Sequence, residues 1–541
     1  MNKILFAFSF LAFNLFAGAE MNLNGTWDFG PGRQYTGTAT VPGLQDDAGK
    51  IASAPLWYRR QVTLPGGDWK NAVLVLKGAR FAPAVYVNNN QVSAANGGMS
   101  ASVHPLRSAA VKPGATVTLE IALKPLSQLP KTDASYIPQP DHFRSDISTH
   151  FWDNVVLETH DDFRISRMIP FTDFKGHTVK LRWAAEKLSD AAPAPGRVQC
   201  ELFSKDGGLV AEATGNGGAW QGELMLKLPA NCRTWSPEDP YCYQLKLTLT
   251  TGGRTETKSI VYGFKEFKLN GLGFELNGHP YQLRGSNTPF FRFARDPEAN
   301  EVEWNHDWWS TQIIQRFKRH GANYIRFHLG QPPEWLLEEC DRAGLIVQDE
   351  WIFFHGMNAA ETSLVEQWRP WLDTAVAHPS VCLLQLYNET PEPAARRAWA
   401  ALKTLEPEYP PLLMAHRDTV NPHHYWWSLF ENISLTYDSP AEIKGEYGAS
   451  AGGPARPAIV DEFGGDYVDG QGKPGVYAAI RGAFLRFLGP KYTGEDTLML
   501  QTLAHGRVAE YWRRLGVGGF ASFCTLGSPF DGNHWFLGSL K

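Results

Sequence analysis

From Leu23 to about Glu158 the chain runs in short strand-like segments, among them residues 57–62, 72–76, 84–87 and 117–123, with apolar and polar residues alternating most clearly in the last. A period of two turns one side of each run inward and the other toward solvent. Asn88-Asn89-Asn90 and Pro113-Gly114 mark turns between the runs. Many short strands with almost no helical period predict a β-sandwich over residues 20–160. A second strand-rich block, with runs at 179–183, 197–203 and 243–249, fills residues 161–267 and has the length of an immunoglobulin-like sandwich.

Beyond Phe267 the period changes. Apolar runs expected as strands at 281–284, 324–327, 345–348, 381–386, 412–415, 433–436, 458–460 and 519–523 alternate with amphipathic stretches such as 308–319, 334–342, 393–405 and 497–515. This predicts a (β/α)8 TIM barrel over residues 268–541, its parallel strands buried on both faces. The chain stops soon after the eighth run, so the last helix is expected to be missing or replaced.

Two of these runs end abruptly on acids. Val381-Cys382-Leu383-Leu384-Gln385-Leu386 leads into Asn388-Glu389, and Ala458-Ile459-Val460 leads into Asp461-Glu462. A parallel barrel presents its chemistry at the carboxyl ends of its strands. Two glutamates on one rim suit retaining glycoside hydrolysis, one as acid/base and one as nucleophile, if their carboxyl groups stand roughly 5–5.5 Å apart. Glu446, in Gly445-Glu446-Tyr447-Gly448, is the rival nucleophile, but no apolar run precedes it. Alternation sends Asp461 to the strand face opposite Glu462, where structural pairing is expected.

Two sandwiches followed by a barrel, with these motifs, resemble glycoside hydrolase family 2: the β-galactosidases, β-glucuronidases, β-mannosidases and relatives. Leu23-Asn24-Gly25-Thr26-Trp27 with Trp57-Tyr58-Arg59-Arg60 is similar to the opening of the family's sugar-binding jelly roll. Trp235-Ser236-Pro237-Glu238-Asp239-Pro240-Tyr241 is similar to its signature near the end of the immunoglobulin-like domain. Leu283-Arg284-Gly285-Ser286-Asn287, the segment from Cys340 to Glu350, and His378-Pro379-Ser380-Val381 sit where the family has their like. The resemblance implies that Glu389 is the acid/base and Glu462 the nucleophile. Asn388 would donate to the sugar 2-hydroxyl as the oxocarbenium ion develops. A nucleophile must stay ionised, and Arg326 and the hydroxyl of Tyr437 are the candidates to keep it so.

The remaining candidates carry open alternatives. His328 is a sugar ligand candidate, although the family spaces its arginine and histidine three apart and the third position here is Leu329. Asp349 and Glu350 bind sugar hydroxyls or pair structurally; Trp351 stacks on substrate or closes the core. His355 follows the third strand at a site position. The acidic metal ligand that β-galactosidases place two residues before this histidine is Phe353 here, so no metal and no cofactor are expected.

The expected activity is exo-acting release of a neutral terminal sugar, with galactose the first candidate. Other family-2 specificities (β-mannosidase, β-glucuronidase) and a carbohydrate-binding protein with an inactive barrel are the alternatives. No Asn-x-Lys motif follows Glu462, which disfavours a glucuronidase. After Asn287 stand Thr288-Pro289-Phe290-Phe291, not the histidine and acids common in β-galactosidases, and Phe520-Ala521-Ser522-Phe523-Cys524-Thr525 lacks the tryptophan many members carry after strand eight.

Composition narrows the partners. With 541 residues, two to four domains are expected, and 43% hydrophobic residues, 20% charged and a net charge of −5 give no reason to expect nucleic acid or a membrane surface. The expected partner is a carbohydrate, and a homo-oligomer is a candidate state. The 19 tryptophans fit sugar stacking or large sandwich cores alike. Residues 1–19 read as a signal peptide: Lys3, an apolar run from Ile4 to Phe16, then Ala17-Gly18-Ala19. The mature chain is then expected to start near Glu20 and to be periplasmic or secreted. Six cysteines are scattered without a metal-binding spacing, and Cys232 and Cys242, flanking a turn-rich loop, form a candidate disulfide.

Overall fold

Each run singled out in the first two blocks is a strand in the computed structural model. It describes residues 19–44, 53–129, 149–190, 192–288, 303–354, 359–425, 456–464, 468, 471–474 and 478–525. In the first block a four-stranded sheet built on Asn71–Leu76 and Val155–His160 faces a six-stranded sheet built on Leu56–Thr63 and Thr116–Leu123. The inward residues of both sheets, Tyr58, Leu74, Val85, Leu119 and Leu157 among them, are fully buried in one cluster. The second block repeats the design with a three-stranded and a four-stranded sheet. Along Thr178–Lys187, Val179, Leu181, Trp183 and Ala185 point into its core while the residues between them do not.

His160 crosses from the first block to the second. Its Nδ1 lies 2.8 Å from Oε1 of Glu256, and its Nε2 lies 3.1 Å from Glu158. Burial alone would lower its pKa, but the two carboxylates outweigh burial and raise it to about 9. A raised folded-state pKa stabilises fully below the unfolded value of about 6.5, and that stability is lost as pH rises through about 9. His160→Gln is therefore expected to cost up to about 3 kcal/mol near pH ~6 and little near pH ~10, by urea unfolding at each pH.

The expected Cys232–Cys242 disulfide is not formed. The two side chains face different neighbours: the Cys232 thiol lies 3.2 Å from the Tyr243 hydroxyl, and the Cys242 thiol lies 3.7 Å from the Asp341 carbonyl in the third block.

In that block eight parallel strands form one curled sheet. They are β1 (Leu283–Thr288), β2 (Tyr324–Phe327), β3 (Ile346–Glu350), β4 (Val381–Gln385), β5 (Leu413–Met414), β6 (His423–Tyr425), β7 (Ile459–Gly464) and β8 (Gly519–Phe523). Their hydrogen-bonded order, β5-β4-β3-β2-β1-β8-β7-β6, is cyclic chain order opened at one seam between β5 and β6. β1 begins later than expected because His279–Tyr281 instead joins an antiparallel three-stranded sheet with Phe267–Asn270 and Gly273–Leu276. Phe274 and Leu276 of that sheet pack on Leu283, Tyr324, Ile346, Leu383, Ile459 and Ala521, near the starts of their strands. The amino end is thus plugged, and the carboxyl end is left for chemistry. The strand expected at 433–436 lies outside the described residues, and the sixth strand is His423–Tyr425.

Helix Gly494–Leu515 starts before the expected residue 497 because Thr493 and Asp496 form a reciprocal capping box. Helix Glu334–Ala343 ends at Gly344, which is left-handed at φ 74°. A Cβ there would stand 2.6 Å from the Pro237 carbonyl oxygen, so glycine permits this docking of the Trp235–Tyr241 signature. The Trp235 indole completes the contact, donating to the Asp341 carbonyl at 3.0 Å. No helix among the described residues is long and apolar enough to cross a membrane.

Candidate active site

Every residue of β2 is buried, and its one charged member, Arg326, is fully enclosed at 0% exposure. A guanidinium without water must find partners, and this one finds them on four other strands or their ends. Nε donates to Glu350 Oε2 at 3.1 Å, at the end of β3. Nη1 donates to Glu462 Oε1 on β7 at 2.7 Å and to Asn287 Oδ1 on β1 at 3.0 Å. Nη2 donates to Asn388 Oδ1, just after β4, at 2.9 Å. Burial opposes the charge, but Glu350, Asp461 and Glu462 together hold the guanidinium well above its ordinary pKa.

The alternation expected for Asp461 fails. Against β8, Val460 pairs with Phe520 and Phe463 with Ser522, so β7 carries one extra residue at Asp461-Glu462. This bulge brings both acids to Arg326: Asp461 Oδ2 lies 3.9 Å from Nε, and Glu462 Oε1 lies 2.7 Å from Nη1. The expected structural pairing does occur, since Asp461 Oδ2 accepts from Asn421 at 2.8 Å and from Gln348 at 3.3 Å. Burial pushes the Asp461 pKa up, and Arg326 followed by His423 pulls it below the ordinary value.

Glu389 reaches the same end of the sheet from just beyond the carboxyl end of β4. Its φ of 41° is left-handed, a costly conformation for a residue with a Cβ, of a kind that gathers at functional sites. Oε1 of Glu389 lies 2.7 Å from Nδ1 of His423, which in turn lies 3.4 Å from Glu462 Oε2. Glu389, His423 and Glu462 each place one nitrogen or oxygen atom within 4.8 Å of the others. His423 would be lowered by burial, but Glu462, Glu389 and Asp461 outweigh this and raise it to about 9, so it is an imidazolium at neutral pH. Among the described residues, these three also form a group able to hold a cation.

The other candidates divide. His328 joins the group, with Nδ1 3.1 Å from Glu350 Oε2 and Nε2 3.8 Å from Glu462 Oε1. Glu350 is fully buried beneath Arg326; burial pushes its pKa up to about 8, with Arg326 opposing and Glu462 and Asp461 reinforcing. Asp349 and Trp351 are corrections to the substrate-binding set. Asp349 faces helix Glu361–Ala377, where its Oδ2 accepts from the Trp371 indole at 2.7 Å, and burial raises its pKa to about 7. Successive strand residues point to opposite faces, so if Glu350 faces the site, Asp349 does not. Trp351 is 0% exposed and packs against Trp368 and Trp371, leaving no face for a sugar. Tyr437, His355 and the rival Glu446 lie outside the described residues.

His423, Asn287, Gln348 and Asn421 were not among the residues expected at the site. His423 sits in Asn421-Pro422-His423-His424-Tyr425, without an apolar run to mark a strand. The one available signal was Asn287 at the end of its motif, where a polar residue closes a barrel strand.

The chain is similar to known proteins in sequence and in fold. The family profile described as "Glycosyl hydrolases family 2" matches residues 164–265. A β-glucuronidase of Rattus norvegicus is 27% identical over 326 residues, 54% of this chain and 47% of that protein. A β-galactosidase of Enterobacter cloacae is 29% identical over 208 residues, 36% of this chain and 20% of that protein. The matched region thus spans less than half the length of these relatives. The structure of a β-D-glucuronidase from Dictyoglomus thermophilum superimposes with a TM-score of 0.69 at 19% identity, covering 94% of this chain and 91% of that one. At that identity the likeness concerns the fold.

Proposed function

This chain belongs to glycoside hydrolase family 2, and from that premise we propose that it is an exo-acting, retaining β-glycosidase. The observation that carries the reading is the meeting of Glu389 and Glu462, with an oxygen of each within 4.8 Å of the other. An inverting pair needs roughly 6.5–9.5 Å between carboxyl groups to admit a water, whereas a retaining pair stands at about 5–5.5 Å.

In this reading Arg326 fixes Oε1 of Glu462 at 2.7 Å, and Oε2 attacks the anomeric carbon. Glu389 protonates the departing glycosidic oxygen. Four carboxyl groups (Glu350, Glu389, Asp461 and Glu462) face two cationic side chains, Arg326 and His423. That surplus of negative charge favours keeping a proton within the group, as an acid requires. Once Glu462 is glycosylated its charge is gone, and Glu389 deprotonates water to release the sugar. Oδ1 of Asn388 is engaged by Arg326 at 2.9 Å and Gln385 at 3.4 Å, which leaves its amide N–H groups for the sugar 2-hydroxyl.

The proposal extends to the parts around the site: a jelly-roll sandwich over residues 20–160, an immunoglobulin-like sandwich over 161–267 and a (β/α)8 barrel from 268 onward. The sheet pairs and the cyclic strand order support it. Export is proposed from the leader pattern of residues 1–19, and amino-terminal sequencing of the secreted or periplasmic protein is expected to begin near Glu20.

For the sugar, a neutral residue with galactose first is proposed, in line with the similar β-galactosidase; a β-glucuronide is the second reading, supported by the two similar β-glucuronidases. A panel of nitrophenyl β-glycosides distinguishes them, and hydrolysis of none supports the inactive binding protein. A 2-fluoro glycoside of the active sugar is expected to label Glu462, located by peptide mass spectrometry. Glu389→Ala is expected to slow poor leaving groups by about 10²–10⁴-fold while sparing dinitrophenyl glycosides. Equal losses on both substrates would remove Glu389 from the acid role.

A further inference from the structure

We propose that Glu389, His423 and Glu462 form a binding site for a zinc-like transition-metal ion, and that an ion seated there excludes the glycoside. Nδ1 of His423 stands 2.7 Å from Glu389 Oε1 and 3.4 Å from Glu462 Oε2. Two nitrogen or oxygen donors bound to zinc at ~2.0–2.1 Å in tetrahedral array are about 3.3 Å apart. The two spacings straddle that value, and the Glu389 and Glu462 oxygens lie within 4.8 Å of each other, so Glu389 must turn toward Glu462 to complete the site. Glu389 is the member able to rotate, because 37% of its side chain is exposed. The same opening gives an ion its way in.

Two features beyond the three ligands point the same way. Nε2 of His423 lies 3.6 Å from Asp461 Oδ1, and neither atom has a hydrogen-bond partner. Asp461 is itself fully buried and held in place through its other oxygen by Asn421 and Gln348. Coordination at Nδ1 displaces that nitrogen's proton to solvent, and the proton kept on Nε2 faces this carboxylate, an arrangement common among metal-bound imidazoles. Glu462, for its part, gives Oε1 to Arg326 and turns Oε2 toward His423, a monodentate arrangement.

One imidazole and two carboxylates suit zinc or a neighbour in the transition series, whereas magnesium and calcium prefer oxygen alone. Neither Phe353, which stands where the resemblance puts the acidic metal ligand of β-galactosidases, nor His355 belongs to this set of ligands. A coordinated Glu462 cannot attack carbon, and a coordinated Glu389 cannot deliver a proton. The exclusion half therefore rests on the glycosidase reading; the binding half rests on geometry alone.

The test uses the full chain, stripped with a chelator and then titrated with Zn²⁺ in equilibrium dialysis. Co²⁺ is followed in parallel by its visible absorption. A single ion per chain is expected, weakened roughly tenfold or more in His423→Asn and in Glu389→Gln, and unchanged in His320→Asn on the surface. Thermal melting checks each variant, and Glu389→Gln, altering an exposed side chain without changing its shape, is the one to rely on if His423→Asn fails to fold. Zn²⁺ is expected to inhibit competitively, with EDTA restoring turnover. No retained zinc, or zinc held equally by both variants, overturns the site. Hydrolysis unaffected by saturating zinc overturns exclusion. A site that behaves as described in a parent hydrolysing no glycoside upholds the binding half and removes the glycosidase reading instead.

Discussion

Glu462→Ala is expected to lower turnover by ~10⁴-fold or more on every substrate the parent accepts, with good and poor leaving groups affected alike. The fold is expected to survive, because Arg326 keeps Glu350, Asn287 and Asn388 as partners. Circular dichroism and a melting curve check that point. Added azide then fills the space left by the carboxylate and attacks the sugar directly, giving a glycosyl azide of inverted configuration. Glu389→Ala with azide gives the retained one. The two products, told apart by proton coupling at the anomeric carbon, assign the two acids without reference to rate. Residual turnover within about tenfold of the parent would exclude Glu462 as nucleophile.

Arg326→Met is expected to be the most destabilising single change in the site, by about 3–5 kcal/mol in urea unfolding. It leaves Glu350, Asp461 and Glu462, all at most 2% exposed, facing one another without their shared cation. Arg326→Lys keeps a charge but not the planar fork, so it cannot serve Glu350, Asn287, Glu462 and Asn388 together. It is expected to recover part of the stability and little of the activity. A methionine variant within about 1 kcal/mol of the parent would show that the guanidinium does not organise the site.

The sheets were legible because burial on one or two faces writes its period into the chain. Residues 84–87, 197–203, 324–327 and 519–523 form strands with the expected bounds. Where the period carried no signal, the reading went elsewhere: β6 is His423-His424-Tyr425, with no aliphatic residue, and a more apolar stretch ten residues on drew the expectation. Asp349 and Glu350, adjacent at the end of β3, carried the same two expectations, sugar binding or structural pairing. Pleating separates them, sending Asp349 to the Trp371 indole and Glu350 to Arg326. Asp461 shows the opposite failure, since the bulge in β7 suspends alternation where two adjacent acids are needed together.

By itself the sequence determined the alternation that makes the sandwiches and the buried runs that make the parallel sheet. It also set the delivery of Asn388-Glu389 and Asp461-Glu462 to strand ends. These are local properties, fixed by which neighbours are apolar. Only the tertiary structure decided that one buried guanidinium would join β1, β2, β3, β4 and β7, and that His423 would stand between Glu389 and Glu462. A charge withdrawn from water takes whatever partners closure of the sheet brings within reach, and residues 34 and 136 positions apart meet there for reasons no local pattern records.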